Sequence, residues 1–390
     1  MVGWLFWLGH VFEPLGQAVR WPGVILGHMT IFVWIELLKY LQFETKKISL
    51  WVWLALSSPF LGLGSIIITP DLPVVFFWSL SLLLAYRIAA TANLIYYVLL
   101  GASLGLGFCS KYHIVLFVPA LLIYLLIDSS YKKIKLTGAS LTLVFGLIFS
   151  APVLIWNYQN NFSSFKFQIN HGLGEASWSP SWTIGYLLGQ FIILFPTTFW
   201  AGIRAYKNYF LSVFAFFPLL FFLVSSLRGA VEVNWPIIAY PSYFALAATS
   251  MVSEKILRIS VYFWGFITVY VVYISIFPIA GLVPEKLAEI RYFDPILIEA
   301  QTHDPLYLGS YQMASIFSYK LKKPFDKLYQ INRHDLFDEI SIGAPKEKKF
   351  FFIKETWVEN PPWLVPNSYK INKIKDLPPK FELYEVTRND

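Results

Sequence analysis

Asp71 lies between two strongly apolar runs, in the stretch "IIITPDLPVVFFW" from Ile66 to Trp78. An ionisable group at membrane depth is costly, and it is a functional candidate because it can exchange a proton or hold a charged ligand. The structural alternative is that Asp71 caps a helix starting at Leu72. The two roles are compatible, so the other polar residues on the same surface must help to decide.

Seven further candidates lie in turns that are predicted to face the same side of a membrane: Lys111, His113, Trp156, Asn157, His171, Arg228 and Asn234. With Asp71 they bring a carboxylate, an amine, imidazoles and a guanidinium to one surface. Each has a structural alternative. Lys111 could extend its charged end to the interface, and His171 could be a plain surface histidine. Arg228 and Glu232, four residues apart, could pair with each other.

The composition places these residues in a membrane protein. The 390 residues are 56% hydrophobic and 14% charged, whereas soluble domains carry about 25% charged residues. Apolar runs recur near the length of about 20 residues that spans a bilayer as a helix. Ten spanning helices are predicted, near residues 22–42, 48–68, 72–88, 92–109, 112–127, 136–156, 184–203, 208–227, 233–251 and 257–281.

The basic residues predict which side each connection faces. Eleven of the fifteen in the first 282 residues fall in one alternating set of connections, and only Arg20, Lys111, Lys166 and Arg228 fall in the other. By the positive-inside rule the first set is cytoplasmic and the second faces outward. The net charge of +7 resides in this membrane part, so it does not indicate nucleic-acid binding. The predicted location is the inner membrane, crossed many times.

The chain after residue 282 differs from the part before it. Residues 283–390 hold 16 basic and 16 acidic residues. We therefore predict two domains, a membrane domain over 1–282 and an outward-facing soluble domain over 283–390. In the second, "KKFFFIKE" and "KFELYEV" are typical of short strands, and "YQMASIFSYKL" has helical spacing. The predicted fold class is an all-α membrane domain with a small α/β domain.

Residues 1–21 must lie outside in this topology, yet "MVGWLFWLGHVFEPLG" lacks the features of a signal peptide. Its apolar stretch is also too short to span a bilayer. We therefore expect a further helix upstream of Met1, which would make the chain a fragment, the product of a misplaced start or a decayed enzyme.

Four stretches carry a resemblance to a known family: "TPDLPVVFFWSLSLLLAYR", "LLGASLGLGFCSKYHIVLFVPALLIYLL", "PVLIWNYQNNFSSFKFQINHG" and "VEVNWPIIAYP". They resemble bacterial glycosyltransferases of the C superfamily, which are similar to dolichyl-phosphate-mannose protein mannosyltransferases and to lipid A aminoarabinose transferases. The tail stretch "YQMASIFSYKLKKPFDKLYQINRHDLFDE" resembles their outward domain. The resemblance covers most of the chain.

The resemblance implies a transferase that moves a sugar, with inversion, from a polyprenyl-phosphate donor to a lipid, glycan or protein acceptor. Such chemistry needs a carboxylate that takes the acceptor's proton and cations that stabilise the leaving phosphate. It implies that Lys111 and Arg228 bind the phosphate, with His113, Asn234, Trp156 and Asn157 around the substrate. Asp71 would position the acceptor or a divalent metal, and His171 would bind the metal or touch the phosphate.

The sequence departs from the family at its start. The family's usual base is an Asp in the first outward loop, and "WLFWLGHVFEPLGQAVRWPGVILG" resembles the segment just after that loop, with Arg20 as its closing arginine. The base is not assigned to Glu13. Two alternatives therefore stay open: a non-catalytic relative that binds lipid-linked sugar, and a transporter. A transporter would need ionisable groups in mid-helix, and the predicted helices hold few besides Glu36.

Overall fold

The computed structural model describes residues 2–62, 64, 67–128, 135–173, 178–277, 293–294, 296–332, 334–378 and 380–389. It consists of two compact units, Met1–Val271 and Val272–Asp390. The predicted boundary at residue 282 lies outside the described residues and stays a prediction.

The first unit is all-helical. Its α-helices are α1 (Val2–His10), α2 (Trp21–Tyr40), α3 (Thr45–Ser57), α4 (Asp71–Thr91), α5 (Leu94–Phe108), α6 (Phe117–Ile127), α7 (Leu136–Gln159), α8 (Ser163–Leu173), α9 (Pro180–Leu194), α10 (Pro196–Arg204), α11 (Tyr209–Ser225) and α12 (Tyr240–Thr249). Helix α13 (Glu254–Ile276) begins in this unit, and its last residues belong to the second. Short 3-10 helices cover Glu13–Arg20, Tyr112–Leu116 and Trp235–Ala239.

Every predicted spanning segment contains a helix, so the helical membrane domain is confirmed. Within the described residues, four helices are long and apolar enough to cross a bilayer alone: Ala18–Tyr40, Asp71–Thr91, Leu136–Gln159 and Glu254–Ile274. The pair α9 and α10 passes the same test as one span bent by 94°. Three further apolar helices are shorter, Leu94–Phe108, Tyr112–Ile127 and Tyr209–Ser225.

Two of the predicted helices are not continuous over their predicted ranges. The segment 48–68 is helical only to Ser57, because Ser58 is extended ahead of Pro59 and the residue before a proline disfavours helical backbone. The segment 184–203 breaks at Phe195, whose φ of +60° lies in the left-handed region. Pro196 then starts α10 as its first residue, a position where proline is well tolerated.

Helix α4 lies at the centre of this unit and carries Asp71 in its first turn. Its side chains are buried on nearly every face. Trp78 packs edge-on against Phe117 and Phe214, and the indole N–H of Trp34 donates to the Ser79 hydroxyl at 2.7 Å. This buried packing on all sides fixes the position of the helix end that bears Asp71.

Helices α5 and α7 pack closely because small residues face each other. A Cβ on Gly105 would lie 2.6 Å from the carbonyl oxygen of Gly146, and one on Gly101 would lie 2.4 Å from that of Thr142. Such small-residue contacts are typical of helix pairs in membranes. They hold the end of α5, which leads into Lys111, beside the end of α7.

The second unit contains a four-stranded sheet in the order β1-β2-β4-β3. The strands are β1 (Leu306–Leu308), β2 (Lys349–Glu355), β3 (Tyr369–Leu377) and β4 (Phe381–Arg388). Strand β1 pairs parallel with β2, and the other pairs are antiparallel. The helices are α14 (Glu299–Thr302), α15 (Tyr311–Leu321) and α16 (Leu336–Ile340). The predicted α/β character is confirmed.

Candidate functional site

Asp71 does not cap its own helix. Helix α4 begins at Asp71, and no side-chain cap hydrogen bond is formed at its start. Both carboxylate oxygens point to partners on other segments: Oδ1 lies 2.6 Å from Nζ of Lys111, and Oδ2 accepts a hydrogen bond of 2.8 Å from the Asn234 amide. The cap alternative is therefore wrong, and the carboxylate instead joins three parts of the chain.

The ion pair between Lys111 and Asp71 is largely buried. The two side chains are 20% and 14% exposed, so Lys111 does not extend to the surface. A buried charge pair is stable only when its geometry is good and its remaining polar atoms are bonded. Asn234 supplies the second bond to the carboxylate. The ammonium group of Lys111 has three N–H donors, and the one hydrogen bond described for it goes to Asp71, which leaves donors for a ligand.

A buried network holds the segment that presents Asn234. The carbonyl oxygen of Val233 accepts hydrogen bonds from the Gln190 amide at 3.0 Å and from the Tyr240 hydroxyl at 3.0 Å. The Tyr240 hydroxyl also lies 2.8 Å from Oε1 of Gln190. Gln190 and Tyr240 are both buried. The backbone next to Asn234 is thus fixed by α9 and α12.

His113 follows Lys111 by two residues and lies in an aromatic environment. Its ring centroid is 4.8 Å from that of Phe222 and 5.8 Å from that of Trp235. Its Nδ1 atom is buried and has no hydrogen-bond partner among the residues that the structure describes. The imidazole therefore forms part of the aromatic wall beside Lys111.

Asn157 and Trp156 have different surroundings from the pair. Asn157 is fully buried. Its amide donates to the carbonyl oxygen of Val153 at 3.0 Å, and its carbonyl oxygen accepts from the N–H of Phe165 at 3.3 Å. It therefore supports the turn between α7 and α8. Trp156 is about half exposed, and no described contact links it to Asp71 or Lys111.

Arg228 and Glu232 are both exposed, and no ion pair joins them among the described residues, so the pairing alternative is wrong. The side chain of His171 lies outside the described part of the chain. Within that part, no group of three or more His, Cys, Asp or Glu side chains could hold a metal ion. The roles of Arg228 and His171 stay predictions.

Two cavities meet at the Asp71–Lys111 pair. The larger has a volume of about 400 Å³ and is lined by Pro70, Phe108, Cys109, Ser110, Lys111, Tyr112, His113, Val153, Ser164, Phe167, Gln168 and Trp235. The smaller lies on the Asp71 side, where Thr30, Trp51 and Phe60 are among its lining residues. A ligand in the larger cavity would contact the ammonium group, whereas the smaller cavity, of about 20 Å³, has room for about one water molecule beside the carboxylate.

Sequence reasoning missed the contribution of α8 to the larger cavity. Ser164, Phe167 and Gln168 line it, and the Tyr112 and Ser164 hydroxyls lie 2.8 Å apart. The spacing i, i+3, i+4 on one helical face is the signal that the sequence contains. The polar composition of this segment, between two long apolar runs, instead favours a loop.

Comparison with known proteins agrees with this architecture. Residues 1–156 match the family model of the dolichyl-phosphate-mannose-protein mannosyltransferases. No curated protein matches the chain. The crystal structure of ArnT from Cupriavidus metallidurans bound to undecaprenyl phosphate superposes with a TM-score of 0.66 at 13% identity, covering 99% of this chain and 87% of that one. Its apo structure gives 0.64 at 13% identity, covering 98% and 86%. The chain has the fold of the C superfamily of glycosyltransferases, as its sequence motifs indicated.

Proposed function

We propose that this protein is an integral-membrane glycosyltransferase that moves a sugar from a polyprenyl-phosphate donor to an acceptor, with inversion at the anomeric carbon. The observation that carries the proposal is the largely buried group of Asp71, Lys111 and Asn234. It lies at one end of an apolar helical unit and opens on a cavity of about 400 Å³. A polar site of this kind suits a lipid whose head group is charged.

Lys111 is assigned to the donor phosphate. In the reaction, the bond between the anomeric carbon and the phosphate oxygen breaks, and the negative charge stays on the lipid phosphate. An ammonium group held in a buried site stabilises that charge more strongly than it would in water. The structure with bound undecaprenyl phosphate, for which the fold match is strong, supports this class of donor.

Asp71 is assigned to the acceptor side. The acceptor oxygen forms the new bond to the anomeric carbon and gives its proton to a base, while Asp71 orients the acceptor hydroxyl. Each carboxylate oxygen of Asp71 has one described partner, and a carboxylate offers about four lone-pair sites. The remaining sites can accept the acceptor's hydroxyl hydrogen bond. The acceptor is a lipid, a glycan or a protein, as in lipopolysaccharide modification or protein glycosylation.

Arg228, His113 and Asn234 complete the proposed site. Arg228 is a second phosphate contact, His113 forms the wall beside Lys111, and Asn234 orients Asp71. A divalent metal held with His171 is part of the proposal and is tested by adding a chelator. We further propose that the enzyme lies in the inner membrane with its second unit outside.

A sugar-transfer assay tests this function. The purified chain in detergent is given a labelled polyprenyl-phosphate sugar and candidate acceptors, and Asp71→Asn is compared with Glu232→Gln, an exposed acid in the segment that carries Asn234. Asp71→Asn should lower transfer by about tenfold or more, which corresponds to ~1.4 kcal/mol. Glu232→Gln should transfer like the wild type. Equal transfer by Asp71→Asn and the wild type would refute the assigned role.

One alternative function has a specific observation behind it. Both oxygens of Asp71 are already hydrogen-bonded, which suits a binding protein for lipid-linked sugar as well as an enzyme. Donor binding without transfer to any acceptor would favour that alternative. The transporter alternative gains no support, because Glu36 is about half exposed and pairs with Lys39 at 2.7 Å.

A further inference from the structure

Two tyrosines hold the guanidinium group of Arg87 near the end of α4 that is opposite Asp71. Its Nη1 atom donates to the hydroxyl of Tyr40 at the end of α2, and its Nη2 atom donates to that of Tyr96 in the first turn of α5. The Cζ atom lies 4.8 Å from the ring centroid of Tyr40 and 5.0 Å from that of Tyr96. The hydroxyl of Tyr86 donates to the carbonyl oxygen of Tyr40 at 2.9 Å. The cluster therefore joins α2, α4 and α5.

No carboxylate neutralises Arg87 within the part of the chain that the structure describes, because its two described bonds go to tyrosine hydroxyls. Other basic residues of the set that is predicted to be cytoplasmic do have such a partner. Lys39 pairs with Glu36 at 2.7 Å, and Arg258 pairs with Glu254 at 2.7 Å. Since tyrosine is uncharged at neutral pH, the positive charge of Arg87 is not balanced by its neighbours.

The guanidinium group also has donors that the tyrosines do not use. It carries five N–H donors, and two of them bond to Tyr40 and Tyr96. The Nε atom of Arg87 is buried and has no hydrogen-bond partner among the described residues, which is rare for a buried polar group in a native structure. A guanidinium group binds two phosphate oxygens through parallel N–H bonds. The cluster thus has the charge and the donors that a phosphate requires.

The surface beside the cluster is apolar. Leu94, Ile95 and Leu99 lie within three residues of Tyr96 on α5 and are 44%, 50% and 44% exposed. Tyrosines and exposed apolar side chains beside a cation are typical of the level at which lipid head groups meet the hydrocarbon core. A lipid bound here would place its phosphate on Arg87 and its acyl chains against α5. A free phosphate would leave the apolar surface unused.

We propose that Arg87, Tyr40 and Tyr96 bind the phosphate of an anionic phospholipid, on the side of the membrane that the basic residues predict to be cytoplasmic. Basic pockets between transmembrane helices on that side bind such head groups. The site selects an anionic head group because the choline group of a zwitterionic lipid is repelled by the guanidinium group. The inference does not depend on the proposed function, since Arg87 lies about 24 Å along α4 from Asp71, at 1.5 Å per residue.

The test measures the binding of radiolabelled dioleoyl phosphatidylglycerol to the purified, delipidated and immobilised chain in detergent. The competitors are unlabelled dioleoyl phosphatidylglycerol, dioleoyl phosphatidylcholine and an excess of inorganic phosphate. Arg87→Gln is compared with the matched control Arg204→Gln, since Arg204 is an exposed arginine that lies 5.0 Å from the ring centroid of Trp200 and belongs to the same predicted side. Lys111→Ala controls for binding of the lipid at the proposed donor site.

The wild type should prefer phosphatidylglycerol to phosphatidylcholine by about tenfold or more. Arg87→Gln should weaken binding of phosphatidylglycerol by about tenfold, whereas Arg204→Gln and Lys111→Ala should bind it as the wild type does. Inorganic phosphate should not displace the lipid, because it cannot bury the apolar surface of α5. If Arg87→Gln does not fold, Arg87→Lys keeps the charge but loses the planar fork of donors and should weaken binding by about threefold or more.

Equal affinity of the wild type for the two lipids would overturn the inference, and so would wild-type affinity in a folded variant of Arg87. An equal loss in Arg204→Gln would overturn it as a general effect of surface charge. A loss confined to Lys111→Ala would place the lipid at the donor site instead. Displacement by inorganic phosphate would assign Arg87 to a free phosphate and would overturn the lipid as its ligand.

Discussion

Lys111 and Asp71 are forty residues apart in the chain, and their charged atoms lie 2.6 Å apart in a largely buried pair. Each group therefore affects the other. Asp71 lowers the net positive charge that a phosphate meets, and Lys111 balances the negative charge at the end of an apolar helix. Loss of either charge should change phosphate binding and sugar transfer in different ways.

Asn234→Ala should lower transfer without weakening phosphate binding. The amide donates to Oδ2 of Asp71 at 2.8 Å, and a hydrogen bond to a charged group contributes about 1.5–3 kcal/mol. We expect transfer to fall by about tenfold, while the Kd for undecaprenyl phosphate stays within about twofold of the wild type. The conservative variant Asn234→Gln should recover part of the activity. A Kd that rises as much as transfer falls would place Asn234 on the phosphate instead.

Tyr240→Phe should act on the same site from a distance. It removes the hydroxyl that bonds both Gln190 and the carbonyl oxygen of Val233, and hydrogen bonds between membrane helices contribute about 0.6–2 kcal/mol. We expect a lower unfolding temperature together with lower transfer. The control is Tyr186→Phe, which removes a 2.7 Å bond to Leu219 instead and should lower stability alone. Equal transfer by the two variants would contradict the positioning role.

The topology is tested by thiol labelling in intact cells. Cys109 is replaced by serine, and single cysteines are placed at Lys135 and at Trp178, which are exposed in the structure. The basic residues predict that these positions lie on opposite sides of the membrane. An impermeant thiol reagent should therefore label only the cysteine at position 178. Labelling of both positions, or of position 135 alone, would contradict the map.

The second unit should lose stability in acid through a buried ion pair. Lys327 is fully buried and contacts Asp338 at 2.5 Å and Asp335 at 3.0 Å. Burial alone would raise the pKa of Asp338, but hydrogen bonds from Lys327 and from the backbone of Gln330 and Asp335 outweigh it and lower the pKa. A lowered pKa gives stability that is complete above the unfolded value and is lost as pH falls through the folded value.

Hydrogen exchange of the β2 and β4 amides in the full chain measures this effect. Protection should fall as the pH drops below about 4, the usual pKa of an aspartate. Asp338→Asn should lower the opening free energy by about 3 kcal/mol at neutral pH, because it breaks a buried pair, and should reduce the acid sensitivity. The control Asp376→Asn removes an exposed partner of Lys373 and should have an effect of less than about 1 kcal/mol. Equal effects would contradict a structural role for the buried pair.

Much of the helical architecture could be predicted, because the length of an apolar run and the alternation of charge between connections can be read from neighbouring residues in the sequence. The same local signals failed at Phe195, where no glycine marks the left-handed backbone. They also missed β3, whose exposed lysines suit an edge strand but hide the alternation that identified β2 and β4. Such features depend on which surfaces the rest of the fold covers, and composition does not show this.

The candidate site was predictable only in part. Topology placed Asp71 and Lys111 on one surface, and the structure brings them together. The bond between Asn234 and Asp71 joins residues 163 positions apart, and no short-range pattern encodes such a contact. Asn157 illustrates the opposite case, because a polar residue in a segment predicted to face outward is here buried to support a turn.

The most direct test of the central claim is the Kd for undecaprenyl phosphate in five proteins: the wild type, Asp71→Asn, Lys111→Ala, the double variant Asp71→Asn with Lys111→Met, and Lys166→Ala as an exposed lysine control on α8. Lys111→Ala leaves the Asp71 carboxylate buried without its ion-pair partner. The double variant Asp71→Asn with Lys111→Met removes both charges and therefore controls for this effect. We predict that both variants lacking Lys111 bind about tenfold or more weakly, and that Lys166→Ala binds as the wild type does. Asp71→Asn should bind at least as tightly as the wild type, because its lysine is no longer neutralised. Unchanged binding in both folded proteins that lack Lys111 would contradict the role assigned to this lysine and with it the proposed site.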